Sequence, residues 1–246
     1  MLVSVFAAVQ GSGGIALGNA YGSNIVNISL ILGVSALVNP LQVRSGVLKR
    51  ELPLLILATG FSVVLLLDRL MSRLDAVLLL ILFAGLMYWT LRQGRIHPQD
   101  ALAAETSAET ETGVLSIRKG VVWLIAGLAI LVASSRLLVW SATAIARQIG
   151  LSETLIGLTV VAVGTSLPEF ASSIAAARKG EHDIALGNVL GSNLFNTLAV
   201  VGLSGVIQPL RLEAGFLGRD LPVMGFLTVS LFLLGFGFGG RLGRIS

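Results

Sequence analysis

The sequence predicts an all-α polytopic membrane protein built as a pair of inverted repeats, and three observations carry that prediction. Hydrophobic residues make up 54% of the chain and charged ones only 12%, where soluble domains average roughly a quarter charged. Apolar runs close to the ~20 residues that cross a bilayer as a helix recur along its length. Finally, the segment GNAYGSNIVN, Gly18 to Asn27, returns as GNVLGSNLFN, Gly187 to Asn196.

Seven spans are expected, near 15–39, 51–67, 74–93, 120–140, 154–177, 184–208 and 220–238, after an apolar stub over 1–9. The stub lacks the basic start and small-residue cleavage pattern of a signal peptide, so it reads as the tail of a helix. The offset of 169 residues holds without a gap through Pro40-Leu41 and Pro209-Leu210 to Arg50–Pro53 and Arg219–Pro222. Run backwards, it pairs Met1 with Phe170, just past GTSLPE, Gly164 to Glu169. The first-half partner of that motif would precede Met1, so the chain is expected to begin inside its own first repeat. Its end, RLGRIS, is similar to Asp68–Arg73 before the third span, so the helix that should follow is expected to be missing. Five crossings separate the start of the span at 15 from the start of its twin at 184. The number is odd, so equivalent helices run in opposite directions, as in many secondary transporters.

A polar linker, Arg92 to Gly113, divides the halves, giving units over 1–93 and 118–246 joined by a cytoplasmic segment over 94–117. His97 in this linker and His182 in a charged turn are read as solvated. The net charge of +4 does not indicate nucleic acid, because the basic residues form no long run. They divide by side instead: alternating loops carry Arg44, Lys49, Arg50, Arg92, Arg95, Arg118, Lys119, Arg178, Lys179, Arg241 and Arg244 against Arg69, Arg73, Arg147, Arg211 and Arg219. The first set is cytoplasmic by the positive-inside rule, in a multi-pass protein of the inner membrane. Arg136, late in the fourth span, is expected to snorkel to the outer interface. With no cysteine in the chain, only oxygen and imidazole ligands are on offer.

The chemistry concentrates in TLIGLTVVAVGTSLPEFASSIAA, which is apolar enough to span yet holds Glu169 near its middle. A charged side chain there costs about 2.5–3.5 kcal/mol on insertion scales. Pro168 cannot donate to the Gly164 carbonyl and its ring displaces it, so a kink should leave backbone oxygens near the carboxylate. Thr165 and Ser166 add hydroxyls, completing a ligand set suited to a hard cation such as Na+ or Ca2+. The same residues also fit a kinked structural helix with a protonated Glu. On the next span Asn188, Ser192 and Asn196 form a polar stripe at helical spacing, as do Asn19, Ser23 and Asn27 in the first half. Such stripes can be helix glue, contributing roughly 0.6–2 kcal/mol per bond, or an ion path. Gly18 with Gly22, and Gly187 with Gly191, are small-xxx-small pairs expected to draw the stripes toward GTSLPE.

Taken together, GTSLPE, GNVLGSNLFN and GNAYGSNIVN resemble the alpha repeats of the sodium/calcium exchanger family, within the calcium:cation antiporter superfamily. The resemblance covers nearly the whole chain outside the linker. It implies ten helices in two inverted five-helix repeats, with ions bound at mid-membrane and no cofactor beyond the transported Ca2+ and Na+. Glu169 would be a direct carboxylate ligand, Thr165 and Ala162 would offer backbone carbonyls, and Ser166 a hydroxyl. Ser192, Asn196, Ser23 and Asn27 would complete the sites. Family members often carry Asp where this chain has Asn196, so less negative charge is expected here and potassium-dependent exchange is disfavoured. The reading is a Na+/Ca2+ antiporter in the lipid bilayer, with no nucleic acid and no obligate protein partner. The alternatives are a cation/proton antiporter in which Glu169 takes the proton, or an inactive, structural membrane fragment. An intramembrane enzyme is disfavoured by the absence of HExxH, Ser-Lys or paired-aspartate patterns.

Overall fold

A computed structural model of the chain describes residues 1–42, 46–96, 117–213, 215–236 and 244–245. Most of the linker, with His97, and the basic residues Arg44 and Arg241 lie outside the described residues.

The helices follow the expected apolar runs. Helix α1 is Leu2–Val9, α2 runs Gly13–Val38, α3 Gly46–Leu65, α4 Arg73–Ile96 and α5 Ile117–Ile149. Next come α6, Glu153–Thr165, and α7, Leu167–Lys179, then α8, His182–Ile207, and α9, Phe216–Asp220 continuing as Leu221–Phe236. Among the described residues five helices are long and apolar enough to cross a bilayer, and a sixth crossing is made if α6 and α7, bent by 46° at their junction, count as one span. Seven were expected from the apolar runs. The remaining one, α3, falls short on charge, because Lys49, Arg50 and Glu51 occupy its first turns.

Local signals explain the ends. Ser152 caps α6 by accepting the Leu155 N–H at 3.2 Å. Gly180 closes α7 in the left-handed region at φ 78°, where a Cβ would be strained, and lets the Glu181 N–H reach back to the Ala176 carbonyl at 2.9 Å. Short antiparallel clips tie the halves together: Leu70–Met71 pairs with Leu210–Arg211, and Leu41–Gln42 with Arg244–Ile245.

Burial orders the bundle. The apolar windows of α2 and α8 are each 61% buried, against 11% for α4 and none for α5. So α2 and α8 form the core, while α4 and α5 turn residues such as Tyr88 and Trp123 outward, as lipid-facing helices do. Tyr21 anchors the centre of α2: its hydroxyl bonds Ser62 on α3, and its ring meets Phe216 edge-on at 5.6 Å. Arg136 does not simply reach for the interface. Its guanidinium lies over the Phe6 ring at 5.4 Å, tying α5 to α1.

The repeat recurs in local structure. Both core helices widen into a π-helical turn at matching places, Asn27–Leu32 and Phe195–Val200. The Asn19 amide donates to Ser4 at 2.8 Å, and its equivalent Asn188 donates to Ser173, the equivalent of Ser4, also at 2.8 Å. Helix α1 therefore stands to α2 as α7 stands to α8.

Candidate cation site

The break between α6 and α7 falls where GTSLPE predicts it. Ser166 adopts φ −93°, ψ 1°, Pro168 sits in the first turn of α7 where its missing N–H costs nothing, and Glu169 follows. Glu169 is half-buried, and its Oε2 is fully buried without a hydrogen-bond partner. A carboxylate oxygen in that state is costly unless a proton or a cation satisfies it. The residue lines a cavity of about 290 Å³ together with Met1, Gly191, Ser192, Phe195 and Asn196. The Glu169 carbonyl also accepts the Asn188 amide at 3.1 Å, which fixes α7 against α8 beneath the carboxylate.

The other predicted residues gather behind this wall. The Thr165 hydroxyl donates to Asn19 Oδ1 at 2.8 Å, and it lies 3.2 Å from the Ala162 carbonyl and 3.5 Å from Ser23 Oγ. Ser166 is buried, and its N–H donates to the Ala162 carbonyl at 3.1 Å. Asn27 stands further along α2, 1% exposed, donating to Asn193 Oδ1 at 2.9 Å. The structure thus joins Glu169, Ser192 and Asn196 around one cavity, and links Thr165, Ala162 and Ser23 in a cluster next to it.

Ser23 and Asn27 are buried and do not line this cavity. A glycine seam lies between α2 and α6. A Cβ on Gly22 would come within 2.6 Å of Leu158 Cα, and one on Gly18 within 2.5 Å of the Thr154 carbonyl. Backbones in such contact close α2 onto α6 beside Ser23, while Asn27 packs against α8 through Asn193. At Gly191, the counterpart of Gly22, a Cβ would meet nothing within 4 Å, so α8 keeps its matching face open as the cavity.

The polar stripes therefore divide. Asn19 and Asn188 are engaged in interhelical bonds and act as glue, whereas Ser192 and Asn196 are presented to the cavity. Periodicity from Asn19 and Asn188 missed Asn24 and Asn193, which lie one residue off the stripe. Asn24 donates to Thr197 Oγ1 at 2.7 Å, and Asn193 holds Asn27. The signal was available, since both copies read Gly-Ser-Asn.

A helical bundle that breaks a span beside a lone carboxylate, with hydroxyls and amides converging from a neighbouring core helix, defines a membrane transporter of cations. The chain belongs to the sodium/calcium exchanger family: the family described as sodium/calcium exchanger protein matches residues 1–92 and 119–246. Inner membrane protein YrbG of Escherichia coli K12 is 40% identical over 95% of this chain and 73% of its own length. Sodium/calcium exchanger MaX1 of Methanosarcina acetivorans is 31% identical over 94% of the chain and 75% of its own length. Among solved structures, the sodium-calcium exchanger NCX_Mj, soaked with Na+ and Ca2+, superposes with a TM-score of 0.68 at 32% identity, covering 96% of this chain and 73% of that one. The protein is a membrane cation antiporter.

Proposed function

We propose that the protein exchanges Na+ for Ca2+ across the inner membrane, by alternating access about a site at Glu169. The observation that carries this reading is Glu169, with one carboxylate oxygen buried and unbonded, lining one cavity with Ser192 and Asn196. A single carboxylate with hydroxyl and amide oxygens suits hard cations, and two ions that need the same carboxylate displace one another. Ser192 and Asn196 serve as direct ligands. Thr165, Ala162, Ser166, Ser23 and Asn27 supply the oxygens behind them, through carbonyls, hydroxyls and an amide. The matched Asn–Ser bonds and paired π-helical turns support two halves related by inversion, seven spans in all, with the site between them. The names of MaX1 and NCX_Mj as sodium/calcium exchangers support the ion pair.

The unbonded oxygen also suits a proton carrier, and that second reading is the one to eliminate. Competition binding separates them. Ca2+ binding to the detergent-solubilised protein should weaken as Na+ rises at constant pH. Indifference to Na+, with displacement by acid alone, would favour the proton reading.

Asn196 offers a graded test. Its side chain lines the cavity, so Asn196→Asp adds a carboxylate beside Glu169 with little change in shape. Affinity for Ca2+ should rise, by roughly tenfold for one added charged ligand of 1–2 kcal/mol net. Unchanged or weaker Ca2+ binding in a folded variant would place Asn196 outside the ligand set.

A further inference from the structure

We infer that Asn193 is a positioning residue that orients the Asn27 carboxamide so that its oxygen, not its nitrogen, is offered to a bound cation. The inference rests on Asn27 being an ion ligand, as proposed above.

A carboxamide has one acceptor end and one donor end, and rotation of its last torsion exchanges them. Only the acceptor end can ligate a metal ion. A free asparagine at a cation site must therefore be held the right way round, or part of its population presents N–H groups to the ion. Here the donor end of Asn27 is taken. Its Nδ2 donates to Asn193 Oδ1 at 2.9 Å, both residues are buried, and Asn27 Oδ1 is left fully buried without a hydrogen-bond partner. An orphaned acceptor of this kind is destabilising unless something fills it. A cation does so, and the bond from Asn27 to Asn193 sets which atom it meets.

Asn193 makes this bond through its oxygen, its own Nδ2 being buried without a hydrogen-bond partner, so Asn193→Asp, which has only acceptors, is the decisive variant. Asn193 follows Ser192 on α8, so its side chain leaves the helix about 100° away from the cavity wall and crosses to α2. The two halves then differ. Asn24, the repeat counterpart of Asn193, spends its amide on Thr197 Oγ1 at 2.7 Å and not on Asn196. Asn196 is left lining the open cavity. One site asparagine is locked in orientation and its twin is free to turn.

A double-mutant cycle on the whole protein in proteoliposomes tests this, reading the KM for Ca2+ and the maximal rate of Na+-driven uptake, with thermal stability in detergent alongside. Asn193→Leu should raise the KM for Ca2+ roughly tenfold, within the range of coupled neighbours, and lower the maximal rate much less. Asn193→Asp keeps the acceptor and should hold the KM near the unmodified value. In an Asn27→Asp background both side-chain ends are oxygens and orientation no longer matters, so Asn193→Leu should then change the KM less than about twofold. An equal factor in both backgrounds would mean that Asn193 is packing glue, and would overturn the proposal. If Asn193→Leu does not fold, Asn193→Ala takes its place in the same cycle. The same cycle on equilibrium Ca2+ binding separates two failures. Unmodified protein that binds no Ca2+ overturns the reading of the site itself, whereas Ca2+ binding that Glu169→Gln abolishes but the Asn193 cycle leaves additive overturns only the positioning role.

Discussion

Glu169→Gln should abolish Na+-dependent Ca2+ flux while leaving the protein folded. The substitution removes one negative charge at constant shape, at a position where the buried Oε2 has no hydrogen bond to lose. Loss of one partner from a desolvated charge pair costs about 2–5 kcal/mol, so Ca2+ affinity should fall by roughly 30-fold to several thousand-fold. Relief from burying a charge works the other way for the empty protein, so thermal stability without ions should hold or rise. Flux measured in inverted membrane vesicles checks the first statement, and melting with and without Ca2+ checks the second. Retained flux in this variant would remove Glu169 from the mechanism.

The second large effect concerns packing, and it sets two equivalent positions against each other. Gly22→Ala places a methyl 2.6 Å from Leu158 Cα, 2.7 Å from its carbonyl oxygen and 2.9 Å from Ala162 Cβ. The first two are backbone atoms, which cannot swing aside, so α2 and α6 must separate along the seam. Overpacking of this sort costs about 1–3 kcal/mol and here falls at the top of that range or above it. It would also pull Ser23 from Thr165, whose hydroxyls lie at 3.5 Å. Gly191→Ala, at the same place in the other repeat, meets nothing within 4 Å and should leave stability unchanged or slightly raised, since Ala is the better helix former. Melting temperatures of the two variants in detergent decide the matter. Similar losses at both positions would show that the seam does not distinguish the halves.

Much of this was legible in the sequence because bilayer and repeat both leave strong patterns. The apolar runs all fell in helices, one of them split into two, and the break at Ser166 fell where Pro168 required it. Four-residue glycine spacing marked the close approach of Gly18 and Gly22, but the same spacing failed at Gly191, where a Cβ would meet nothing within 4 Å. What spacing could not give was which partner each face receives. The stripe Asn19, Ser23, Asn27 has the same pattern as Asn188, Ser192, Asn196, yet α6 closes on Asn19 and Ser23 while a cavity borders Ser192 and Asn196. That difference is tertiary and has no trace in a local motif. The roles of Asn24 and Asn193 were missed for a related reason: they lie off the stripe, and only the crossing of α2 with α8 turns them into contacts. The Ala162 carbonyl accepts the Ser166 N–H at the break, a contact that the motif itself does not display.

The central claim is that Na+ and Ca2+ exchange through a site containing Glu169. Purified protein in proteoliposomes, at clamped voltage, permits a direct measurement: Ca2+ movement under an imposed Na+ gradient, and separately under an imposed pH gradient. The Na+ gradient alone should drive Ca2+ uphill in the opposite direction, reverse when the gradient is reversed, and do nothing in Glu169→Gln. Ca2+ movement driven by the pH gradient and indifferent to Na+ would contradict it.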